Sequence, residues 1–277
     1  MSTAAAPPLG SERPPDGLGR VVSLTWTLAV TDWKLRFYGS ALGYVWTLVR
    51  PFAFFGVIYF VFTEIANVGA GVKNYGLYVL FGLVLFTFFG EVTGNCLNSL
   101  VVREGLLRKM RFPRIVIPLS VAVTSLLNLG MTLVAVFVFA VAGGDYPTWS
   151  WLELIPLVVL LTLLSVGVGM LLSVLYIRYR DVQPVWDVAS QMLFYASPVL
   201  YVATMVPEDY QRPYLANPIA SILTQVRHAV VDPTAPSVAE AIGDPARLLI
   251  PLGVVIVVFA LGLYSFQRMA PRIAEEL

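Results

Sequence analysis

Long uninterrupted runs of apolar residues dominate the chain from residue 51 onward. A helix needs about 20 mostly apolar residues to cross a bilayer, so each such run predicts a transmembrane helix. The six runs cover approximately Pro51 to Val68, Tyr75 to Val101, Ile115 to Ala142, Leu154 to Ile177, Val182 to Met205 and Leu248 to Gln267. The expected fold is therefore an all-α integral membrane protein with six transmembrane helices.

The stretch from Val21 to Val49 follows a helical period instead. Its apolar stripe consists of Trp26, Val30, Trp33, Phe37, Ala41, Val45 and Leu48, and its polar stripe of Asp32, Arg36, Ser40, Gly43 and Thr47. This spacing predicts an amphipathic helix that lies in the cytoplasmic interface of the membrane. Asp32 and Arg36 are one turn apart and are expected to pair with each other.

The connection from Val206 to Arg247 is neither apolar enough to span the membrane nor polar enough to be disordered. Within it, the sequence from Pro218 to Val231 predicts a short helix with proline in its first turn. A helix of this length and polarity fits two positions, a re-entrant segment within the membrane or a short external helix above it. Both interpretations are open at this point.

The two ends of the chain are polar. Residues 1–20 are rich in Pro, Gly and Ala and lack the basic start and apolar run of a signal peptide, so a disordered cytoplasmic tail is expected. Residues 21–267 are expected to form one transmembrane domain, and residues 268–277 a second cytoplasmic tail.

Composition and charge agree with a membrane protein. Of the 277 residues, 58% are hydrophobic and 13% are charged, an apolar excess that a water-soluble fold of this length has no core to hide. A net charge of +1 argues against a nucleic-acid-binding protein. The connections that share one side of the six-helix topology carry 14 of the 18 Lys and Arg residues, which places both termini in the cytoplasm.

Several kinds of chemistry are missing from the sequence. None of the three lysines, Lys34, Lys73 and Lys109, follows a glycine, so the chain has no phosphate-binding P-loop of its own. His228 is the only histidine, and no serine lies in a G-x-S-x-G motif. We therefore expect no catalytic residues, no metal site and no cofactor in this chain.

Charged and aromatic residues within the predicted spans are candidates for a polar conduit. Glu91 lies in the middle of the second span and Asp187 within the fifth, and each either lines a conduit or pairs structurally. Aromatic side chains on the first two spans either bind sliding sugar rings or serve as packing. They are Phe52, Phe55, Tyr59, Phe62, Tyr78, Phe81 and Phe88.

The basic segment from Val102 to Arg111 also has two interpretations. Leu106, Leu107 and Met110 are apolar residues within it, and its length suits a short cytoplasmic helix. Such a helix can insert into a groove of a partner protein. The alternative is a connection whose positive charges only orient the chain in the membrane.

The segment from Asp32 to Pro51 resembles the N-terminal signature of the transmembrane subunits of polysaccharide ABC exporters, the type-2 (ABC-2) permeases. The matching positions are Asp32, Lys34, Arg36, Ser40, Leu42, Gly43, Trp46 and Pro51. Further matches follow in the same order: the basic loop Arg103 to Arg114 with Phe112-Pro113, Tyr179 to Val182, Ser197 to Tyr201 ending in Val206-Pro207, and Asn217-Pro218. The resemblance covers roughly residues 25–267. It departs at Phe37 to Gly39, where the family often carries another basic residue.

The resemblance implies the membrane-spanning subunit of an ATP-driven exporter in the bacterial cytoplasmic membrane. The substrate would be a polyprenyl-pyrophosphate-linked glycan, such as O-antigen, teichoic acid or cell-wall galactan. Two copies of this chain would join two copies of a separate cytoplasmic ATPase, which would hold the ATP and Mg. The alternatives are an ABC-2 permease for a drug or a lipid and a membrane enzyme of glycan assembly.

The resemblance also implies roles for individual residues. The interfacial helix would act as a gate through Asp32, Lys34, Arg36, Ser40, Gly43 and Trp46. The ATPase-coupling residues would be Arg103, Glu104, Leu106, Leu107, Arg108, Lys109 and Met110, together with Arg180 and Asp181 between the fourth and fifth spans.

Overall fold

The computed structural model describes residues 17–38, 43–66, 68, 71–109, 112–243 and 245–269, and every regular element within these ranges is helical. The α-helices are α1 (Gly17–Phe37), α2 (Gly43–Phe60), α3 (Tyr75–Val102), α4 (Glu104–Lys109), α5 (Val116–Ala142), α6 (Leu154–Arg178), α7 (Val182–Tyr195), α8 (Glu208–Tyr214), α9 (Pro218–Val226), α10 (Val238–Ile242) and α11 (Leu249–Met269). A π-helical turn, Val61–Ile65, continues α2, and another, Arg227–Val231, continues α9. The all-helical class expected from the sequence is confirmed.

Within the described residues, five helical stretches are long and apolar enough to cross a membrane. They are Val45–Ile65, Tyr75–Val102, Val116–Ala142, Trp149–Arg178 and Ala246–Met269. The helices α3, α5, α6 and α11 agree with the second, third, fourth and sixth predicted spans to within two residues at each end. Each of these helices continues to the end of its apolar run, because no residue within the run terminates the helix.

The N-terminal expectation needs correction. The predicted single helix from Val21 to Val49 is divided between α1, which ends at Phe37, and α2, which begins at Gly43. Gly43 and Trp46 therefore belong to the first long apolar helix, which starts before Pro51 and contains that proline in its interior. Helix α1 begins at Gly17, inside the tail expected to be disordered, and Ser40 and the tails at 1–16 and 270–277 lie outside the described residues.

Helix α3 is the centre of the bundle. Most of its side chains are buried, and it packs against α5, α6 and α7. Asn74 before α3 donates a hydrogen bond to Asp145 before α6 (2.6 Å), and Cys96 further along α3 packs on Gly169 of α6. These two contacts show that α3 and α6 run parallel, with their C-terminal ends on the same side of the bundle.

The fifth predicted span is not one long helix. Helix α7 has 14 residues, against the run of about 24 expected, and ends before Ser197-Pro198. A residue that precedes proline is disfavoured in the α conformation, which explains this end. The chain then continues antiparallel to α3, because Trp186 packs on Phe89, Phe194 packs on Phe86, and Tyr78 near the start of α3 donates to the carbonyl groups of Pro198 and Tyr201.

These tyrosine contacts explain how non-helical backbone is accommodated beside α3. Tyr75 and Tyr78 donate to carbonyl oxygens of the segment after α7, which would otherwise be buried without hydrogen-bond partners. Ser197, Pro198, Val199 and Leu200 are all buried there. Protein donors thus replace water for this segment.

The segment predicted as a short helix at Pro218 is helical and buried. Asn217 caps α9 by accepting a hydrogen bond from the backbone N–H of Ile219 (3.0 Å), and its amide also donates to Ser197 (3.2 Å). Helix α9 packs on α3, α6 and α11, so its surroundings are protein on several sides. In the following loop Asp232 is buried, which favours its neutral form, but hydrogen bonds from Thr234 outweigh this effect and lower the pKa of Asp232.

Close contact between α6 and α11 depends on two glycines. A Cβ atom at Gly262 would lie 2.3 Å from the carbonyl oxygen of Gly167, and one at Gly167 would lie 2.7 Å from Cα of Phe259. Both obstacles are backbone atoms, so the helices would have to separate. Small residues permit this kind of close helix packing in membranes.

We predict that Gly262→Ala destabilises the protein by about 1–3 kcal/mol, the usual cost of overpacking. Gly253→Ala is the matched control on α11, because nothing lies within 4 Å of a Cβ atom at that position. Unfolding of the purified variants by denaturing detergent measures the difference. Equal stability of the two variants would contradict the close approach of α6 and α11.

Candidate functional site

Two ion pairs attach α1 to the long helices. Arg103, the residue after the C-terminal end of α3, pairs with Asp32 of α1, and Glu91 of α3 pairs with Arg36 of α1. The predicted pairing of Asp32 with Arg36 is therefore wrong. An exposed pair one turn apart contributes little, whereas partly buried partners on another helix interact more strongly.

Polar side chains of α5 support both ion pairs. Asn128 donates to Oε1 of Glu91 (2.7 Å) and accepts from the indole N–H of Trp33 (3.0 Å). Ser120 accepts from the guanidinium of Arg103 (2.8 Å). Together, Asp32, Trp33, Arg36, Glu91, Arg103, Ser120 and Asn128 form what we call the α1 docking network.

The docking network positions α1 alongside α5. Thr124 donates to the carbonyl of Ala29 (3.2 Å), and Trp33 contacts Asn128, so the contacts advance by four residues on both helices. The two helices therefore run in the same direction where they touch. Glu91 and Asn128 lie near the middle of α3 and α5, so the contact extends well along these spans. A purely interfacial position for α1 is not confirmed.

The apolar stripe predicted for α1 also differs from the buried face. Ala29 is fully buried against α5 and Thr25 is nearly so, whereas Trp26 of the predicted stripe is 57% exposed. Lys34, a predicted gate residue, is exposed. Polar docking partners, rather than the apolar stripe alone, determine which face of α1 is buried.

The predicted ATPase-coupling residues lie at one end of the bundle. Helix α4 follows α3 directly, and Arg180 and Asp181 lie in the turn after α6, so the parallel arrangement of α3 and α6 brings both groups to the same side. Leu106 and Glu104 are partly exposed. Arg180 and Asp181 are exposed, and the guanidinium of Arg180 lies over the ring of Tyr176 at 5.0 Å. Met110 and the side chains of Leu107, Arg108 and Lys109 lie outside the described part of the structure.

The aromatic candidates fall into two groups. On α2 and its π-helical continuation, Tyr59 is exposed, Phe52 and Phe62 are partly exposed and Phe55 is buried, and Phe52 and Phe55 both make edge contacts with Phe139. On α3, Tyr78, Phe81 and Phe88 are at most 3% exposed. The α3 group therefore packs inside the protomer and presents no surface to a polymer in this conformation.

Helix α7 carries a polar stripe that the sequence analysis recognised only at Asp187. Gln183, Asp187 and Gln191 recur every four residues, and all three are exposed. None of the residues of α7 is buried. The spacing of the two glutamines around Asp187 was the available sequence signal.

Asn128, Ser120 and Trp33 were also missed as functional candidates. The signal for Ser120 and Asn128 was a series of polar residues at intervals of four along the otherwise apolar α5: Ser120, Thr124, Asn128 and Thr132, all buried. Such a series predicts a polar contact with another helix, although not which helix. Within the described ranges, no three His, Cys, Asp or Glu side chains come together as metal ligands.

The five span-length helices of the described residues define the class as a multi-span α-helical membrane protein. A family model described as "ABC-2 type transporter" matches residues 23–231, more than half of the chain. The chain therefore belongs to the ABC-2 type transporter family.

Curated relatives match over most of their length. The chain is 29% identical to the O-antigen export system permease protein RfbA of Klebsiella pneumoniae over 94% of this chain and 97% of that protein. It is 28% identical to the protein of the same name from Myxococcus xanthus, over 87% and 91% of the two chains. It is 23% identical to the polysialic acid transport protein KpsM of Escherichia coli, over 74% and 80%.

Proposed function

We infer that this chain is the membrane-spanning subunit of an ATP-driven polysaccharide exporter. The observation that carries this inference is the match over nearly the full length of this chain and of an O-antigen export permease. A second glycan transporter, named for polysialic acid, also matches most of the chain. The substrate that we propose is a polysaccharide on a polyprenyl-pyrophosphate carrier in the bacterial cytoplasmic membrane.

Depletion of this chain in its native bacterium should make the lipid-linked polysaccharide accumulate on the cytoplasmic side, because synthesis continues while export stops. Extraction and mass spectrometry of the lipid-linked glycans measure this accumulation, and re-expression of the wild-type chain is the control. Accumulation of a drug or of a lipid without glycan would favour a different ABC-2 permease.

The energy for export would come from a separate cytoplasmic ATPase. The chain lacks a P-loop lysine, so ATP and Mg would be held by that partner. Helix α4 and the turn at Arg180 and Asp181 lie together at one end of the bundle, and we assign this end to ATPase docking. Both chain termini would then lie on the cytoplasmic side, in agreement with the distribution of Lys and Arg.

Leu106→Asp should remove the ATPase from the complex. A charge without a partner in an apolar groove is costly, so we expect the co-purified ATPase to fall by about tenfold or more. Tyr146→Asp is the control, because Tyr146 is 72% exposed and follows Asp145 at the opposite end of the bundle. Pull-down from detergent extracts measures ATPase retention. Normal retention by the Leu106 variant would contradict the assignment of α4.

A conduit for the polymer would form between two copies of this chain. Helix α7 runs beside the middle of α3, where exposed Gln183, Asp187 and Gln191 would otherwise face lipid. Carboxyl and amide side chains that face lipid are costly, and within membrane proteins they usually face a water-filled cavity or another protein surface. A water-filled conduit between two protomers removes most of this cost.

The exposed faces of the long helices support the same arrangement. In the apolar part of the helix Val45–Ile65, only 6% of the residues are buried inside the protomer. In that of Tyr75–Val102, 78% of the residues are buried. Lipid and a second copy are the two surroundings available to such faces. We propose that the exposed aromatic residues of the first span, Tyr59 among them, border the conduit and contact sugar rings.

The conduit proposal predicts water access to α7. A cysteine at Asp187 or Gln191 should react with a charged, membrane-impermeant thiol reagent in native membranes. A cysteine at Val159, which is 53% exposed on α6, should not react, because lipid covers it. The natural Cys96 is fully buried and gives little background. Equal protection of all three positions would contradict a conduit along α7.

A further inference from the structure

Arg103 connects α4 with α1. The family resemblance implies ATPase coupling for the first of these helices and a gate for the second. The backbone of Arg103 belongs to the turn between α3 and α4: its N–H donates to Ser99 (3.3 Å), and its carbonyl accepts from Leu106 of α4 (3.0 Å). Its side chain leaves this turn and pairs with Asp32 of α1. One residue thus ties the proposed docking helix to the N-terminal helix.

The guanidinium of Arg103 holds two partners at once and so fixes their positions relative to each other. One terminal nitrogen of Arg103 binds the carboxylate of Asp32 and the other binds the hydroxyl of Ser120 on α5. A planar guanidinium that uses both arms fixes the relative positions of its partners more closely than a single ammonium contact would. The side chain of Arg103 is only 15% exposed, so loss of Asp32 would leave a largely buried cation without its counter-charge.

One buried hydroxyl on each of α1 and α5 lacks a hydrogen-bond partner in the described part of the structure. These are the hydroxyls of Thr25 on α1 and Ser125 on α5. Buried polar groups are normally paired, so each one without a partner calls for an explanation. A change in the register between α1 and α5 during the transport cycle would explain these unpaired hydroxyls.

We propose that Arg103 is a positioning residue that makes α4 and α1 move together, so that displacement of α4 by the ATPase is transmitted to the N-terminal helix. This inference rests on the proposed function, because α4 must contact the ATPase. The Asp32–Arg103 pair carries the motion, and Ser120 orients the guanidinium. The second ion pair, Arg36 with Glu91, holds α1 one turn further along.

The test uses the complete complex with its ATPase and lipid-linked substrate. Asp32→Asn should lower export at least about tenfold while the ATPase stays bound and still hydrolyses ATP, because the link fails after docking. The double variant Asp32→Arg with Arg103→Asp should restore at least half of the export by reversing the pair. Arg20→Gln is the control, since it removes a charge from an exposed position on the same helix.

A distance measurement separates this role from a merely structural one. Spin labels at exposed Val22 on α1 and Gly105 on α4 should keep their separation when ATP binds to the wild-type complex, and should change it in the Asp32→Asn complex. Normal export by the Asp32→Asn variant, or a wild-type separation that changes as much as that of the variant, overturns the inference. Failure of the wild-type chain to bind any ATPase overturns the proposed function instead.

Discussion

Ion pairs between helices determine where the N-terminal helix lies. The side chains of Glu91 and Arg103 are only 21% and 15% exposed, and each pairs with a charged residue of α1. A partly buried charge that loses its partner is strongly unfavourable, so α1 has few alternative positions that keep both pairs intact. The apolar packing of α3, α5 and α6 gives the bundle its stability, whereas these pairs give α1 its position on the bundle.

The same requirement for partners governs the backbone. Helix α7 stops before Ser197-Pro198, and the carbonyl groups beyond it are paired with the hydroxyls of Tyr75 and Tyr78. Tyr78 was a candidate for sugar contacts in the sequence analysis, but here it serves, like Tyr75, as a donor to protein backbone. A tyrosine offers both an apolar ring and a hydroxyl donor, so the sequence alone does not distinguish these roles.

Features that depend on neighbouring residues in the sequence were predicted well, whereas contacts between residues far apart in the sequence were not. Four spans were predicted nearly to the residue, because an apolar run is a local property of the chain. The partners of Asp32 and Arg36 were not, since Arg103 and Glu91 lie 71 and 55 residues away and the local rule favoured pairing within the helix. The short α7 was missed because Ser197 and Pro198 lie within a run that is apolar by composition.

A single protomer leaves two kinds of exposed surface that call for different surroundings. The outer faces of α2 and α11 are apolar and are stable in contact with lipid, whereas the stripe of Gln183, Asp187 and Gln191 on α7 is not. Within the described structure α3 packs on one side of α7, and the stripe lies on an exposed side of that helix. We therefore propose that a second copy of the chain, which carries an identical stripe, forms the second wall of a polar passage. In that arrangement the conduit would belong to the assembled pair, and one protomer would not need a cavity large enough for a polymer.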